Sequence, residues 1–343
     1  AAAAVLTTRL KDPGGYGRII RSAGDRVRAI VEQKDCTPAQ ARIREISSGI
    51  ICFSREPLLE HLSALTDINA QREFLLTDMV RILNQRRLKV AAFPVKQSRQ
   101  VLGVNDRADL AKVERIIRRR KAEALMRDGV TIVDPRTTVI DDAVEIGRDS
   151  RIEPGCHLLG HTQLGRECQV QPYAIITDCK LGDRVTVRPF SVLAESEVAS
   201  GASIGPFARL REGAEIGSEA RIGNFVEVKR SRIGAGSRSM HLAYLGDATL
   251  GERVNIGAGT VTCNYDGEKK NPTLIEEGVF VGSGSMLVAP IVIGRGAYVA
   301  AGSTLTEDVP AASLALGRAR QVNKEGWAHG RPHRKGQGPA SKK

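Results

Sequence analysis

Polar side chains between residues 211 and 244 have the chemistry to bind a phosphate and deprotonate an amine. Arg211 and Lys229 lie eighteen residues apart, and two cations brought to one edge of a fold can clamp a phosphate. His241 and Tyr244 follow them. Acetylation of an amine requires removal of its proton as it attacks a thioester, and an imidazole is suited to act as that general base. Taken alone, the two cations are equally well explained as solvated corner residues. His241 lies in the middle of its hexad, where side chains tend to point outward, and an outward histidine taken alone is more often a solvated residue.

A second group of polar residues lies where a regular pattern is broken, from Cys263 to Leu274. Loops that leave a rigid scaffold often carry function. Asn264, Tyr265 and Lys270 favour that interpretation over a tolerated surface insertion.

Other chemically capable residues are interpreted as solvated or packing groups. His157 and His161 have no third histidine at a matching position, which disfavours a metal site. Cys156 and Cys168 fall on small inward positions, where a thiol packs as a small hydrophobe. The six cysteines form neither a C-x-x-C pair nor a zinc spacing, so we expect reduced thiols in a cytoplasmic protein.

The elements that position these residues repeat with a period of six. From Ile140 an aliphatic residue recurs at every sixth position and, after some shorter steps, the pattern continues to Leu305. Each hexad predicts a short strand and a corner. Three hexads close a triangular coil, coils stack at about 4.8 Å, and about nine coils fit the stretch. Small residues expected inside the prism follow the anchors: Ser150, Cys156, Thr162, Cys168, Ala174, Ala202, Ala208, Ala214 and Ala220.

The sequence pattern of residues 1–138, which precede the repeat, predicts mixed α/β structure. Strand-like runs cover 5–10, 27–32, 49–53 and 89–95, and helical patterns cover 57–65, 73–85 and 106–127. The last helix begins with Asp106 and Asp109, which resemble a capping box. We expect four segments: an α/β domain (1–105), a linker helix (106–138), a β-helix (139–318) and a basic, mostly disordered tail (319–343).

The composition excludes several classes of protein. Aromatic residues make up 4% of the 343 residues, against 41% hydrophobic residues and 35 glycines, which is typical of an aliphatic stacked-coil core. No apolar run is long enough to span a membrane, and no signal peptide is recognisable. The net charge of +12 resides partly in Arg331–Lys343. Without a basic surface interleaved with aromatic residues, phosphate or coenzyme binding is favoured over nucleic acid.

Four segments carry a resemblance to a known family. They are Ile204–Arg211 (IGPFARLR), Ile222–Lys229 (IGNFVEVK), His241–Asp247 (HLAYLGD) and Asn255–Gly267 (NIGAGTVTCNYDG). With Lys324–Trp327, they resemble the bacterial bifunctional N-acetylglucosamine-1-phosphate uridylyltransferase/glucosamine-1-phosphate N-acetyltransferase over essentially the whole chain. The resemblance implies a left-handed parallel β-helix of hexapeptide repeats behind part of an α/β nucleotidyltransferase (Rossmann-like) domain.

The same resemblance implies the reaction and its site. The β-helix would transfer acetyl from acetyl-CoA to glucosamine 1-phosphate, within a homotrimer whose sites form between neighbouring subunits. His241 resembles the general base. The sugar-phosphate contacts implied are Arg211, Lys229, Tyr244, Asn255 and Lys270, and the acetyl-CoA contacts implied are Ala258, Asn264, Tyr265, Ser283, Ala301 and Arg318.

The first domain resembles the family's Mg²⁺-dependent half, which couples the product to UTP and yields UDP-N-acetylglucosamine. Gly17, Glu32 and Asn105 match nucleotide-sugar contacts, and Asn105 also matches a metal contact. Ser47 stands where the family generally has Asn, which removes the amide's donor and acceptor pair. The family's Gly-rich triphosphate loop and metal-binding Asp would precede residue 1. We therefore expect a truncated chain without uridylyltransferase activity.

Two alternatives remain open from the sequence. One is another hexapeptide-repeat acyltransferase that uses a different amine, and the other is a non-catalytic scaffold whose β-helix only trimerises.

Overall fold

The computed structural model describes residues 1–22 and 26–328. The described residues form two compact units, Ala1–Arg120 and a second that begins at Lys121. The predicted basic tail covers residues 319–343. From residue 329 onward it lies outside the described residues, so its expected disorder stays a prediction.

The first unit contains a five-stranded mixed sheet in the order β3-β2-β4-β1-β5. The strand β1 pairs antiparallel with β4 and parallel with β5, so the sheet mixes both directions. The bounds are β1 Ala3–Arg9, β2 Arg18–Arg21, β3 Val27–Val31, β4 Glu45–Phe53 and β5 Val90–Pro94.

Helices of the first unit are shorter than their sequence patterns predict. The helix expected over 73–85 begins only at Met79, because a 3₁₀ turn at Leu76–Asp78 takes up its start. The strand β2 escaped prediction because four residues with an arginine at each end show no clear alternation. The bounds are α1 Pro38–Ala41, α2 Arg55–His61, α3 Met79–Gln85 and α4 Arg107–Arg127, with further 3₁₀ turns at Gln33–Asp35, Leu62–Ala64 and Ser98–Gln100. The last seven residues of α4 belong to the second unit.

The acidic start of α4 matches its prediction. The Asp109 backbone N–H donates to Oδ1 of Asp106 over 2.7 Å, which satisfies one of the amides that a helix leaves unpaired at its N-terminus. The helix is followed by Gly129, whose φ of +97° is a conformation that glycine adopts without steric cost.

The second unit is a parallel β-solenoid with three faces, each a stack of short strands. Face 1 consists of Thr131–Ile132, Arg151–Ile152, Gln169–Val170, Thr186–Val187, Ser203–Ile204, Arg221–Asn224, Arg238–His241, Asn255–Ile256, Phe280–Val281, Tyr298–Val299 and Leu314–Ala315. Face 2 consists of Val139–Ile140, His157–Leu159, Ile175–Thr177, Val192–Ala194, Arg209–Arg211, Glu227–Lys229, Tyr244–Gly246, Val261–Cys263, Met286–Val288 and Thr304–Leu305. Face 3 consists of Glu145–Ile146, Gln163–Leu164, Lys180–Leu181, Glu197–Val198, Glu215–Ile216, Arg232–Ile233, Ala248–Leu250, Thr273–Ile275 and Ile291–Ile293.

The aliphatic anchors of the repeat form the solenoid core. On face 2, Leu158 pairs with Ile176, which pairs with Leu193, and all three side chains are 0% exposed. Small residues at the inward corner positions, such as Ser150, are buried as well. The shorter steps in the repeat fall at the corner between faces 2 and 3, where single residues with positive φ, such as Asp178 (φ 50°), close a tighter turn.

The corner between faces 1 and 2 carries a ladder of aromatic rings. Tyr173, Phe190, Phe207 and Phe225 stack in order, with ring centroids 5.2, 5.1 and 5.4 Å apart. Each ring is about half exposed. Leu242 occupies the next position of this corner, and glycines occupy the positions after it, starting with Gly259.

The structure confirms the predicted fold class, a solenoid of hexapeptide repeats behind an α/β region. The solenoid has about ten turns, since faces 1, 2 and 3 contain eleven, ten and nine strands among the described residues. The left-handed sense of the coil stays a prediction. Among the described residues, no helix combines the length and the apolar character needed to cross a bilayer.

Replacement of Leu158 by alanine tests the core directly. Because the side chain is fully buried, the loss of burial and the cavity left behind should lower the free energy of unfolding by about 2–5 kcal/mol. The exposed Gln163 is the matched control, and its replacement by alanine should change stability by about 0.5 kcal/mol or less. Urea denaturation measures the free energy of unfolding of both variants. Equal losses would contradict the assignment of Leu158 to the solenoid core.

Candidate active site

His241 ends a strand that is longer than most strands of the solenoid. Arg238–His241 pairs in parallel with Arg221–Asn224, and the pairing continues to Asn224 and His241 themselves. The imidazole Nδ1 lies 2.8 Å from the side-chain Oδ1 of Asn224. The sequence-based expectation that His241 points outward agrees with its exposed side chain.

Glycine at position 223 permits this extended pairing. A Cβ on Gly223 would lie 2.5 Å from the carbonyl carbon and 2.6 Å from the Cα of Met240. These are backbone atoms that cannot rotate away, so a larger residue would push the strand of His241 outward. Facing the prism on the same strand, Ser239 replaces an aliphatic anchor. It is buried, and its hydroxyl has no hydrogen-bond partner within the part of the chain that the structure describes.

His241 and three predicted acetyl-CoA contacts share one corner of the solenoid. The strand register aligns the inward residues Ile222, Ser239, Ile256, Val281 and Val299. The residue two positions after each of them therefore falls in a single column. We call this set the corner column: Asn224, His241, Ala258, Ser283 and Ala301.

After His241, the coils pack closely beside the corner column, where glycines precede the next two column residues and the remaining column residues all have small side chains. A Cβ on Gly257 would lie 2.5 Å from the Ser283 nitrogen, and one on Gly282 would lie 2.5 Å from the Ala301 nitrogen. Arg318 lies near the end of the column, since its Cδ is 3.9 Å from where a Cβ on Gly302 would be. Such a strip can accept a long, thin ligand along its backbone and a charged group at its end.

Face 2 brings the two predicted phosphate-binding cations together. Arg211 and Lys229 are direct register partners, as their separation of one coil predicts. Arg211 forms ion pairs with Glu227 at 2.6 Å and with Glu212 at 2.7 Å. The Lys229 ammonium lies 3.0 Å from Glu212, and its side chain is 12% exposed. The two cations are thus held in place by carboxylates that the sequence motifs did not single out.

Lys270 from the loop adds a third cation to this group. Its interaction with Lys229 is the main cause that lowers the pKa of Lys270, and some loss of hydration and the charge of Arg230 lower it further. Ammonium groups held this close repel each other, and a bound anion would relieve the repulsion. The arrangement therefore favours a phosphate at this position.

Asp247 joins the loop to face 2. Its carboxylate accepts hydrogen bonds from Arg230 at 2.9 and 3.2 Å and from the side-chain amide of Asn264. Burial alone would raise the pKa of Asp247, but the bonds from Arg230 and Asn264 lower it overall. The Asn264 amide also lies 3.5 Å from the Tyr244 hydroxyl. Two residues predicted to bind different substrates are therefore neighbours.

Asp266 organises the loop itself. Its carboxylate accepts the backbone N–H groups of Lys269 and Glu268 at 2.8 and 2.9 Å, and the side-chain amide of Asn271 at 2.8 Å. The bonds from Lys269, Glu268 and Asn271 lower the pKa of Asp266 to about 2. Tyr265 and Lys270 form an isolated bridge across the turn. The loop is thus a folded element rather than a loose insertion.

The remaining predicted residues lie on face 1 or in the first unit. Asn255 is on face 1, between its register partners Arg238 and Phe280. The residues predicted to bind a nucleotide sugar lie in the first unit, where Ser47 donates its backbone N–H to the Gly17 carbonyl at 2.9 Å. A Cβ on Gly17 would lie 3.3 Å from the Glu32 carboxylate.

The thiols set aside in the sequence are packing groups. Cys156 and Cys168 are 0% exposed. Burial raises the pKa of Cys156 to about 11 and raises that of Cys168 as well, so both remain protonated at neutral pH. His161 is exposed, and the described residues contain no cluster of three His, Cys, Asp or Glu side chains able to hold a metal.

Comparison with known proteins identifies the family. A family model described as bacterial transferase hexapeptide (six repeats) matches residues 272–307. The protein from Geobacter metallireducens named bifunctional protein GlmU is 51% identical over 344 residues, covering 95% of this chain and 72% of its own length. The GlmU of Koribacter versatilis is 50% identical, covering 96% and 71%, and that of Pelobacter propionicus is 48% identical, covering 95% and 71%. The chain belongs to the bifunctional GlmU family.

Membership of the GlmU family confirms the resemblance drawn from the motifs. It also confirms the predicted enzyme class, a glucosamine-1-phosphate N-acetyltransferase whose hexapeptide domain carries the activity. Solved structures with partial similarity include UDP-N-acetylglucosamine acyltransferases. The Arabidopsis enzyme has a TM-score of 0.37 at 15% identity, covering 54% of this chain and 69% of its own. The Bacteroides fragilis enzyme has a TM-score of 0.40 at 16% identity, covering 52% and 69%.

Sequence reasoning missed several residues that build this candidate site. Asn224 and Gly223 lie inside a quoted motif, and Asp247 and Asp266 end or lie inside two others. Their roles depend on contacts across coils or within a folded turn, so the motifs alone could not reveal them.

Replacement of Gly223 by alanine should displace His241. Because the added methyl group would meet the Met240 backbone, we expect acetyl transfer to fall by about a hundredfold, as a misplacement of about 1 Å can produce, and the melting temperature to fall. Gly103 is the control, since a Cβ there would make only an ordinary contact of 3.5 Å with Tyr16. A fully active Gly223→Ala variant with an unchanged melting temperature would refute the close approach of Gly223 to the Met240 backbone.

Replacement of Asp266 by alanine should unfold the loop turn. The wild-type bonds need the carboxylate form, so they persist at neutral pH and weaken only as the pH falls towards the pKa of about 2. Without them, trypsin should cleave after Lys269 and Lys270 faster than in the wild type. Glu268→Ala is the control, because Glu268 contributes only its backbone N–H to the turn. Equal cleavage of both variants would argue against the role of Asp266.

Proposed function

We propose that His241 is the general base of acetyl transfer from acetyl-CoA to the amine of glucosamine 1-phosphate. The observation that carries the proposal is the place of His241 in the corner column, one coil before Ala258 and in line with Ser283 and Ala301. The imidazole removes the amine proton as the amine nitrogen attacks the thioester carbonyl. The new C–N bond forms, the C–S bond breaks, and the imidazolium returns the proton to the departing thiolate.

The sugar phosphate is assigned to the cation group of face 2. Arg211, Lys229 and Lys270 supply positive charge, and the lowered pKa of Lys270 beside Lys229 supports an anion between them. Tyr244 adds a hydroxyl close to Asn264. Asn255, on the outer surface of face 1, completes the proposed set of sugar-phosphate contacts.

Acetyl-CoA is assigned to the corner column and the loop. Ala258, Ser283 and Ala301 present backbone with little side chain, which suits the narrow pantetheine arm. Arg318 at the end of the column supplies a cation for the phosphates of the coenzyme. Asn264 and Tyr265 of the loop complete the proposed set of acetyl-CoA contacts.

We further propose that three copies assemble into a cytoplasmic homotrimer with sites shared between solenoids. The exposed ladder of Tyr173, Phe190, Phe207 and Phe225 supports an association, because contiguous exposed apolar surface marks protein contact sites. The three thiols buried in the solenoid core, those of Cys156, Cys168 and Cys179, agree with a reducing compartment. We propose no nucleic-acid or membrane partner.

The Mg²⁺-dependent half of the family's chemistry does not fit the residues present. Asn105 is the single predicted ligand, and it carries a neutral amide. Magnesium prefers carboxylate ligands. No reaction step is therefore assigned to Mg²⁺, and UDP-N-acetylglucosamine is proposed only as a ligand of the surface formed by Gly17, Glu32 and Ser47.

Replacement of His241 by alanine tests the proposed function. Loss of a general base should lower turnover by about 10²–10⁴-fold, measured as thiol released from acetyl-CoA in the presence of glucosamine 1-phosphate. His161→Ala is the control, since that histidine is exposed and lies outside the site. If the wild type releases thiol only with another amine, a different hexapeptide acyltransferase is the better description. If His241→Ala is as active as the wild type, the assigned base is wrong.

A further inference from the structure

Asn224 makes the side-chain hydrogen bond that the structure gives to the His241 ring. Asn224 lies in the motif Ile222–Lys229, and the proposed function gives Asn224 itself no role. Its side chain is half-buried, whereas that of His241 is exposed. A contact between a fixed polar group and a mobile ring is suited to setting the ring's orientation.

We infer that Asn224 is a positioning residue that holds the proton on Nδ1 of His241 and leaves Nε2 free to act as the base. The inference rests on the proposed function of His241. It concerns the tautomer of the ring, which neither the family nor the motifs specify.

The chemistry of the two groups determines which atom carries the proton. The atom of Asn224 that faces the ring is Oδ1, at 2.8 Å from Nδ1, and an amide oxygen only accepts hydrogen bonds. Nδ1 must therefore donate. A neutral imidazole has one N–H group, so the lone pair available to a substrate is on Nε2. The opposite tautomer would place two lone pairs against each other.

The backbone holds the two side chains in register. Asn224 and His241 are paired across adjacent parallel strands, and the Gly223 backbone lies close against Met240. The hydrogen bond thus joins side chains whose Cα atoms cannot drift apart without breaking the strand pairing. This fixes both the tautomer and the direction in which Nε2 points.

The neutrality of the amide suits the two proton transfers of the proposed reaction. A carboxylate at this position would stabilise the imidazolium and retain the proton. The nearby Glu227 does not provide one, because its carboxylate is bound to Arg211 at 2.6 Å. An amide orients the ring without adding charge, so the proton can be taken from the amine and passed to the thiolate.

The test combines kinetics with ¹⁵N NMR of histidine-labelled full chain. Asn224→Ala removes the acceptor and Asn224→Asp keeps one. In the wild type and in Asn224→Asp, we expect the His241 signals of an Nδ1–H, Nε2-unprotonated ring, assigned by their absence from His241→Ala. In Asn224→Ala, the Nδ1–H signal should be lost and kcat should fall by about tenfold to a hundredfold, with KM within about threefold. Asn224→Asp should recover only part of the lost kcat, because its carboxylate accepts the Nδ1 hydrogen bond but stabilises the imidazolium.

Gln169→Ala is the matched control, because Gln169 is an exposed residue of a face 1 strand three coils earlier, and it should behave as the wild type. An Nε2–H ring in the wild type would overturn the inference, as would an Asn224→Ala variant with wild-type kcat. If Asn224→Ala fails to fold, the wild-type tautomer decides the question. Activity that survives in His241→Ala refutes the proposed function itself, whereas an inactive His241→Ala beside a fully active Asn224→Ala refutes only the role of Asn224.

Discussion

Parallel pairing between the strands of successive coils is the interaction on which the second unit depends. Its backbone hydrogen bonds include the one from the Val192 N–H to the Ala208 carbonyl oxygen at 2.9 Å. The register aligns Leu193 with Leu210 and Leu210 with Val228, and these aliphatic side chains fill the prism. Once this register is fixed, every outward side chain acquires neighbours from the coils above and below. The ion pairs of Arg211, the contact of His241 with Asn224 and the corner column all follow from it.

The register could be predicted from the sequence because large aliphatic anchors recur every six residues. The pairing of Arg211 with Lys229 follows from that count alone. Two anchors were hidden by polar residues, however. Ser239 and Thr262 occupy inward positions on faces 1 and 2. Thr262 is bonded to the carbonyl oxygen of Gly246 at 3.0 Å, which a pattern of hydrophobic residues cannot reveal.

The polar partners of the site were less accessible to prediction than its cations. A motif shows that Arg211 and Lys229 are present, but not that Glu212 joins them or that Asp247 links Arg230 to Asn264. These contacts depend on side-chain directions that the period of six leaves undetermined. The first unit shows the same limit, because the short strand at Arg18–Arg21 depends on pairing with Val27–Val31 rather than on its own sequence.

The corner column also sets a length. From His241 through Ala258, Ser283 and Ala301 to the level of Arg318 there are four coil steps, roughly 19 Å at the ordinary strand spacing. A ligand anchored by its charged end at Arg318 therefore meets the imidazole only if its extended arm spans that interval. In the proposed arrangement, the number of coils sets the distance between Arg318 and the imidazole. Insertion or removal of a single coil between them would shift the thioester end of the ligand relative to His241 by about 4.8 Å.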